Sequence, residues 1–162
     1  MMTDVGRSSK SSLRNSFAAL AVLMTVAAGA QAASAFTRAE LIEPQTLAAM
    51  LSKPRAPLVL QVGFRVLYDS AHIPGARYCG PASESGGLAR LKQCAAALPR
   101  SRFIVIYCGC CPMVHCPNVR PAFALLQRMG FKHVKVLDLP SDFKTDWLEK
   151  GYPVSPAAKR KR

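Results

Sequence analysis

Four of the chain's six cysteines fall within one short stretch, as Cys108, Cys110, Cys111 and Cys116. A thiolate attacks disulfides and sulfane sulfur and binds soft metals, and its availability depends on whatever lowers the thiol pKa. Three chemistries are open to this group. Cys108 can act as a nucleophile toward sulfur, with Cys110, Cys111 or Cys116 as acceptor or resolving thiols. Alternatively, Cys108, Cys111, His115 and Cys116 offer three thiolates and an imidazole to Zn or Cu(I). Two ligand pairs crowded into one loop differ, however, from the separated knuckles of zinc fingers. Finally, Cys110 or Cys111 bonded to Cys116 would staple the loop and leave Cys108 free. A bridge between the adjacent Cys110 and Cys111 is the least favourable, because its ring is strained.

The elements around the loop set its electrostatics. Phe103 to Tyr107 is apolar, β-branched and aromatic, the length of a buried central strand. After the loop, Asn118 is placed to cap a helix, Pro121 falls in its first turn and Gly130 follows its end. A thiol here faces backbone N–H groups from Gly109 onward and the positive end of a helix, which favour the thiolate. Arg120, in the first turn, adds a cation.

Elsewhere, 37–51 reads as an amphipathic helical region, closed by Lys53-Pro54-Arg55-Ala56-Pro57. Leu58 to Val62 and Val134 to Leu137 read as buried strands, and Arg77 to Cys79 as an edge strand. Leu88 to Leu98 reads as a helix, and Ser141 is placed to cap a last one running to Gly151. Strands alternating with helices at this spacing predict an α/β fold, a mostly parallel central sheet with helices on both faces. In such sheets ligands bind at the carboxyl ends of strands, where Cys108 lies. His72, in a turn, reads as bonded scaffold, and Trp147 as a core anchor.

The 162 residues suffice for one domain, and half are apolar. Residues 1–35 read as a signal peptide. Arg7, Lys10 and Arg14 precede an apolar run from Phe17 to Ala30, with cleavage expected after Ala32 or Ala35. The run is shorter than the roughly 20 residues of a spanning helix, so export without lasting membrane insertion is expected. A domain over 36–155 and a basic, disordered tail over 156–162 complete the division. The net charge of +13 favours small anions. No aromatic-interleaved basic patch points to nucleic acid. Exported cysteines meet oxidising conditions, and Cys79 and Cys94 would close the Ser83–Gly87 excursion if bonded. Two separate buried thiols are the alternative.

With these features in place, residues 40–154 resemble the rhodanese-like family of single-domain sulfurtransferases. The resemblance rests on Tyr68-Asp69-Ser70-Ala71-His72-Ile73-Pro74-Gly75-Ala76, followed by Ile104-Val105-Ile106-Tyr107-Cys108 leading into a loop and helix. Gly130-Phe131, Trp147 and Gly151-Tyr152-Pro153-Val154 add to it. It implies that Cys108 takes sulfane sulfur from a donor such as thiosulfate, holds it as a persulfide among loop N–H groups and passes it to a thiophilic acceptor. Its implied partners are therefore a small sulfur-containing anion and a thiol acceptor, with no cofactor and no named protein partner. Gly109, Cys110 and Cys111 would line the substrate site. Three features depart from the family: a loop lengthened to nine residues, Gln61-Val62-Gly63 where Asp-x-Arg is usual, and Leu139-Pro140-Ser141 where Gly-Gly is frequent. Arg65 is close enough in sequence to replace the missing charge.

Overall fold

The computed structural model describes residues 36–156. The signal peptide expected over 1–35, and residues 157–162 of the expected tail, lie outside the described residues. The chain runs β1 (Leu41–Ile42), α1 (Pro44–Leu51), β2 (Leu58–Gln61), α2 (Arg65–Ser70), β3 (Ala71–His72) and β4 (Arg77–Tyr78). It continues through α3 (Ser85–Ala96), β5 (Ile104–Tyr107), α4 (Val119–Arg128), β6 (Val134–Leu137) and β7 (Ser155–Pro156). Five strands form one sheet in the order β1-β6-β5-β2-β4, every neighbouring pair parallel. β3 and β7 form a separate antiparallel pair.

The central strands are buried on both faces, as a helix-covered parallel sheet requires. Alternation sorts their side chains into two cores. Leu58, Leu60, Ile104 and Ile106 pack with Leu91 and Ala95 of α3 and with Ala122, Phe123 and Leu126 of α4. Val59, Val105 and Tyr107 pack on the opposite face with Leu47 of α1 and with Phe143 and Trp147. The expected α/β sheet covered on both faces is therefore present.

Two local expectations are corrected. The helical region expected over 37–51 divides into a 3-10 turn at Arg38–Glu40 and an α-helix from Pro44; between them Leu41–Ile42 pairs with β6 as an edge strand. A two-residue strand leaves no periodicity to read, and its partner lies almost a hundred residues away. At the last helical segment, a π-helical turn over Lys144–Leu148, Ser141 is not the cap. Asp146 accepts the N–H groups of Ser141 and Asp142, and Asp142 accepts that of Thr145. An ionised carboxylate is a stronger acceptor than a hydroxyl.

Cys79 and Cys94 form a disulfide, joining the chain just beyond β4 to α3 across a sequence separation of 15. Among the described residues, no helix is long and apolar enough to cross a membrane.

Candidate active site

Cys108 is the first residue after β5, at the carboxyl edge of the sheet's middle strand. Gly63, just beyond the neighbouring β2, leaves room for its sulfur: a Cβ there would lie 2.5 Å from Cys108 Sγ. Gln61, 1% exposed, donates its side-chain N–H to the Cys108 carbonyl at 3.0 Å. Its buried Oε1 has no hydrogen-bond partner among the described residues. Asn118 is fully buried and helical in backbone, and its side chain makes no cap bond to α4. It bridges the strand ends instead, accepting the Ser83 N–H at 2.9 Å and donating to Cys108 Sγ at 3.4 Å. The capping role expected for Asn118 is thus replaced by a link from one loop to the thiol.

All four loop cysteines are free thiols. Cys108 Sγ lies 3.2 Å from Cys110 Sγ, which lies 3.2 Å from Cys111 Sγ. The sulfurs of Cys108, Cys110 and Cys116 all fall within 4.8 Å of one another. Among the described residues these three, rather than the expected Cys108, Cys111, His115 and Cys116, form the group with metal-ligand spacing; His115 is exposed. The expected thiolate also shifts. The N–H groups of Asn118 and Val119, at the start of α4, act on Cys116, not Cys108. Accepting the Cys108 S–H bond, with help from those N–H groups, draws the Cys116 pKa down to about 6. Cys108, the donor of that bond and buried besides, is pushed far above the ordinary thiol range. Burial raises Cys111 to about 12. The Cys108–Cys116 pair thus shares one hydrogen-bonded proton between two sulfurs.

A cavity of about 280 Å³ opens over Cys108, Gly109 and Cys110, walled by Gln61, Ser70, Tyr107, Phe143 and Lys144. Gly109 has φ +87°, in the left-handed region, and a Cβ there would meet Phe143 at 2.8 Å. Glycine therefore lets the loop turn under the aromatic wall. Cys111 and Cys116 lie behind, in a tightly packed seam with Met113, Val119, Leu137 and Leu139. Arg65 and Arg120 are not brought to the cavity. Arg65 bonds Asp69 at 2.8 Å and lies over Tyr78, while Arg120 stacks over Phe36. Among the described residues, the cation lining the cavity is Lys144, beside the Asp142 carboxylate; its Nζ is 3.6 Å from Glu149 Oε1. Lys144 carries no signal in the sequence, and Gln61 stands out there only as a departure from the family's Asp-x-Arg. Lys144 lies in no local motif, and the buried bond from Gln61 to the Cys108 carbonyl joins two segments 47 residues apart. His72 bonds the Tyr68 carbonyl through Nδ1 at 2.8 Å and stacks on the Tyr68 ring, as expected of bonded scaffold.

The model of the rhodanese-like domain matches residues 43–139, more than half of the chain. The chain belongs to the rhodanese-like domain family. Solved structures share its fold at low identity. A Bacillus halodurans protein, BH2092, superposes with TM-score 0.57 at 21% identity, over 74% of this chain and 78% of that one. The rhodanese-like domain of Anabaena sp. Alr3790 gives 0.54 at 24% identity, over 76% and 83%. The Escherichia coli 3-mercaptopyruvate sulfotransferase SseA gives 0.54 at 16% identity, over 74% of this chain and 52% of its own. No curated protein matches the sequence. The rhodanese-like domain described here thus shares its scaffold with a sulfurtransferase, and its cysteine loop lies at the sheet's carboxyl edge.

Proposed function

We propose that this domain is an exported sulfurtransferase that takes sulfane sulfur from a small anion such as thiosulfate onto Cys108 and passes it to a thiol acceptor. One observation carries the reading: Cys108, at the end of the central strand, opens onto the cavity and receives the Cys110 backbone N–H, with Lys144 in the cavity wall. As the anionic sulfur of Cys108 is used, the proton it shares with Cys116 is drawn to the Cys116 sulfur. Thiolate formed on Cys108 is held by the Asn118 side-chain N–H and the Cys110 backbone N–H. It attacks the outer sulfur of thiosulfate, sulfite departs with the bonding pair, and a persulfide remains on Cys108. A thiol acceptor entering the cavity then removes the outer sulfur. Export rests on the residues 1–35 pattern, and the Cys79–Cys94 disulfide accords with an oxidising compartment.

Intact mass before and after thiosulfate, with peptide mapping of the loop, tests the reading. One sulfite released per chain, with the delivered sulfur found on Cys108 or displaced from it, and neither with Cys108→Ser, is expected; a reduced protein that releases no sulfite overturns it. A second reading, soft-metal binding, is favoured by the spacing of Cys108, Cys110 and Cys116. Three sulfurs without a nearby imidazole suit Cu(I) better than Zn. Stoichiometric copper retained on purification, and lost with Cys110→Ser, would support it.

A further inference from the structure

Cys108 stands between two different surroundings. The cavity side is lined by Cys108 and Cys110 but by neither Cys111 nor Cys116. The seam behind is lined by Cys108, Cys111 and Cys116 among apolar side chains. Cys116 lines the seam and not the cavity, so a donor or acceptor held in the cavity does not meet it, yet its sulfur lies within 4.8 Å of Cys108 Sγ. A sulfur delivered through the cavity is bonded to Cys108 on the cavity side, with Cys116 on the seam side. Thiolate attack on one sulfur of an S–S bond expels the other. The cavity that delivers the sulfur and the seam that holds Cys116 thus meet at Cys108.

We propose that Cys116 is a resolving thiol: it attacks the Cys108 persulfide from behind and releases the delivered sulfur as hydrosulfide. The inference rests on the sulfurtransfer reading and names the fate of the sulfur. In the first step, the thiosulfate S–S bond breaks, sulfite leaves and the Cys108 persulfide forms, its proton parked on Cys116. In the second, that proton returns to the outer sulfur. The Cys116 thiolate then forms a bond to Cys108 Sγ, the persulfide S–S bond breaks, and HS⁻ departs with the electron pair. The two cysteine sulfurs are oxidised to a disulfide by two electrons, and the sulfane sulfur is reduced by two. A dithiol entering the cavity reduces the bridge at Cys108 and resets the site. Cys110 is also near, at 3.2 Å from Cys108 Sγ, but it lines the cavity into which the leaving sulfur must go.

The test is a single turnover of the full chain, loop thiols reduced, with thiosulfate and no added thiol. Sulfite and sulfide are counted and the loop is mapped by mass. Wild type is expected to release one sulfite and one sulfide per chain and to carry a Cys108–Cys116 disulfide. Cys116→Ser is expected to reach one sulfite per chain, judged by yield rather than rate, with no sulfide and the persulfide retained on Cys108. A stable persulfide on wild type without sulfide overturns the inference, as does sulfide release accompanied by a Cys108–Cys110 disulfide; both leave sulfurtransfer standing. Absence of sulfite from wild type overturns sulfurtransfer itself. Should Cys116→Ser fail to fold, the wild-type sulfide count and disulfide map decide alone.

Discussion

Gly63 and Cys108 leave the carboxyl ends of adjacent parallel strands so close together that a methyl group on residue 63 would sit 2.5 Å from the Cys108 sulfur. The same methyl would lie 3.0 Å from the Cys108 carbonyl and from the Gln61 side-chain nitrogen. Gly63→Ala is therefore expected to displace the thiol and strain the Gln61 bond, costing about 1–3 kcal/mol, the usual range for overpacking. Denaturant melts check the stability loss, and the rate of persulfide formation checks the displacement. A variant as stable and as fast as wild type would show that the strand ends yield freely.

Cys116 makes stability depend on pH under reducing conditions. Its pKa in the fold, about 6, lies below the ordinary thiol value of 9.0. The stabilising contribution is thus complete above 9.0 and is lost as pH falls through about 6. Cys108 is shifted the other way, so its part is lost only as pH climbs above 9.0. Stability should rise between pH 6 and 9, and Cys116→Ser should flatten that rise. Thiolate absorbance should likewise show one group titrating near pH 6 in wild type only. An identical titration in both proteins would remove Cys116 as the thiolate.

Lys144 is the cationic side chain in the cavity wall, but it is 76% exposed and near Glu149. Its attraction for an anionic donor is therefore screened and modest. Lys144→Gln is expected to raise KM for thiosulfate a few-fold with kcat little changed, an effect that fades in high salt. A matching fall in kcat at constant KM would instead place Lys144 in the chemical step.

The Cys79–Cys94 disulfide closes a loop with a sequence separation of 15. Cys94→Ala is expected to cost about 3 kcal/mol on the chain-entropy account of such a loop. Chemical denaturation of the two proteins without reductant measures this. Equal midpoints and slopes would mean that the bridge adds nothing to the fold.

The sheet and its central thiol were legible because they follow from local pattern. β5 is a β-branched run too short for a helix, and the loop after it concentrates the sulfur. The Cys79–Cys94 pairing was also visible as an option, since it spans one loop and one helix. What sequence could not show was direction. Asn118 has the residue type of a helix cap, but burial turns its amide toward Cys108 and Ser83. The field at the start of α4 likewise falls on Cys116, because the lengthened loop brings that residue, and not the strand end, to the helix N-terminus. Arg65 was nearby in sequence, yet α2 carries it to Asp69 and the Tyr78 ring. Lys144 enters the site only through the return of the chain after β6, a tertiary fact.

Trp147 is the chain's single tryptophan, completely enclosed, with Phe143 stacked 6.0 Å away. Phe143 is also the aromatic wall over Gly109, in the cavity that holds the Cys108 sulfur. The domain thus carries its own fluorophore one ring removed from the reacting atom. Loading or emptying the thiol that nudges Phe143 would be written into the emission of one indole, so the cycle could be followed by stopped-flow without any label attached.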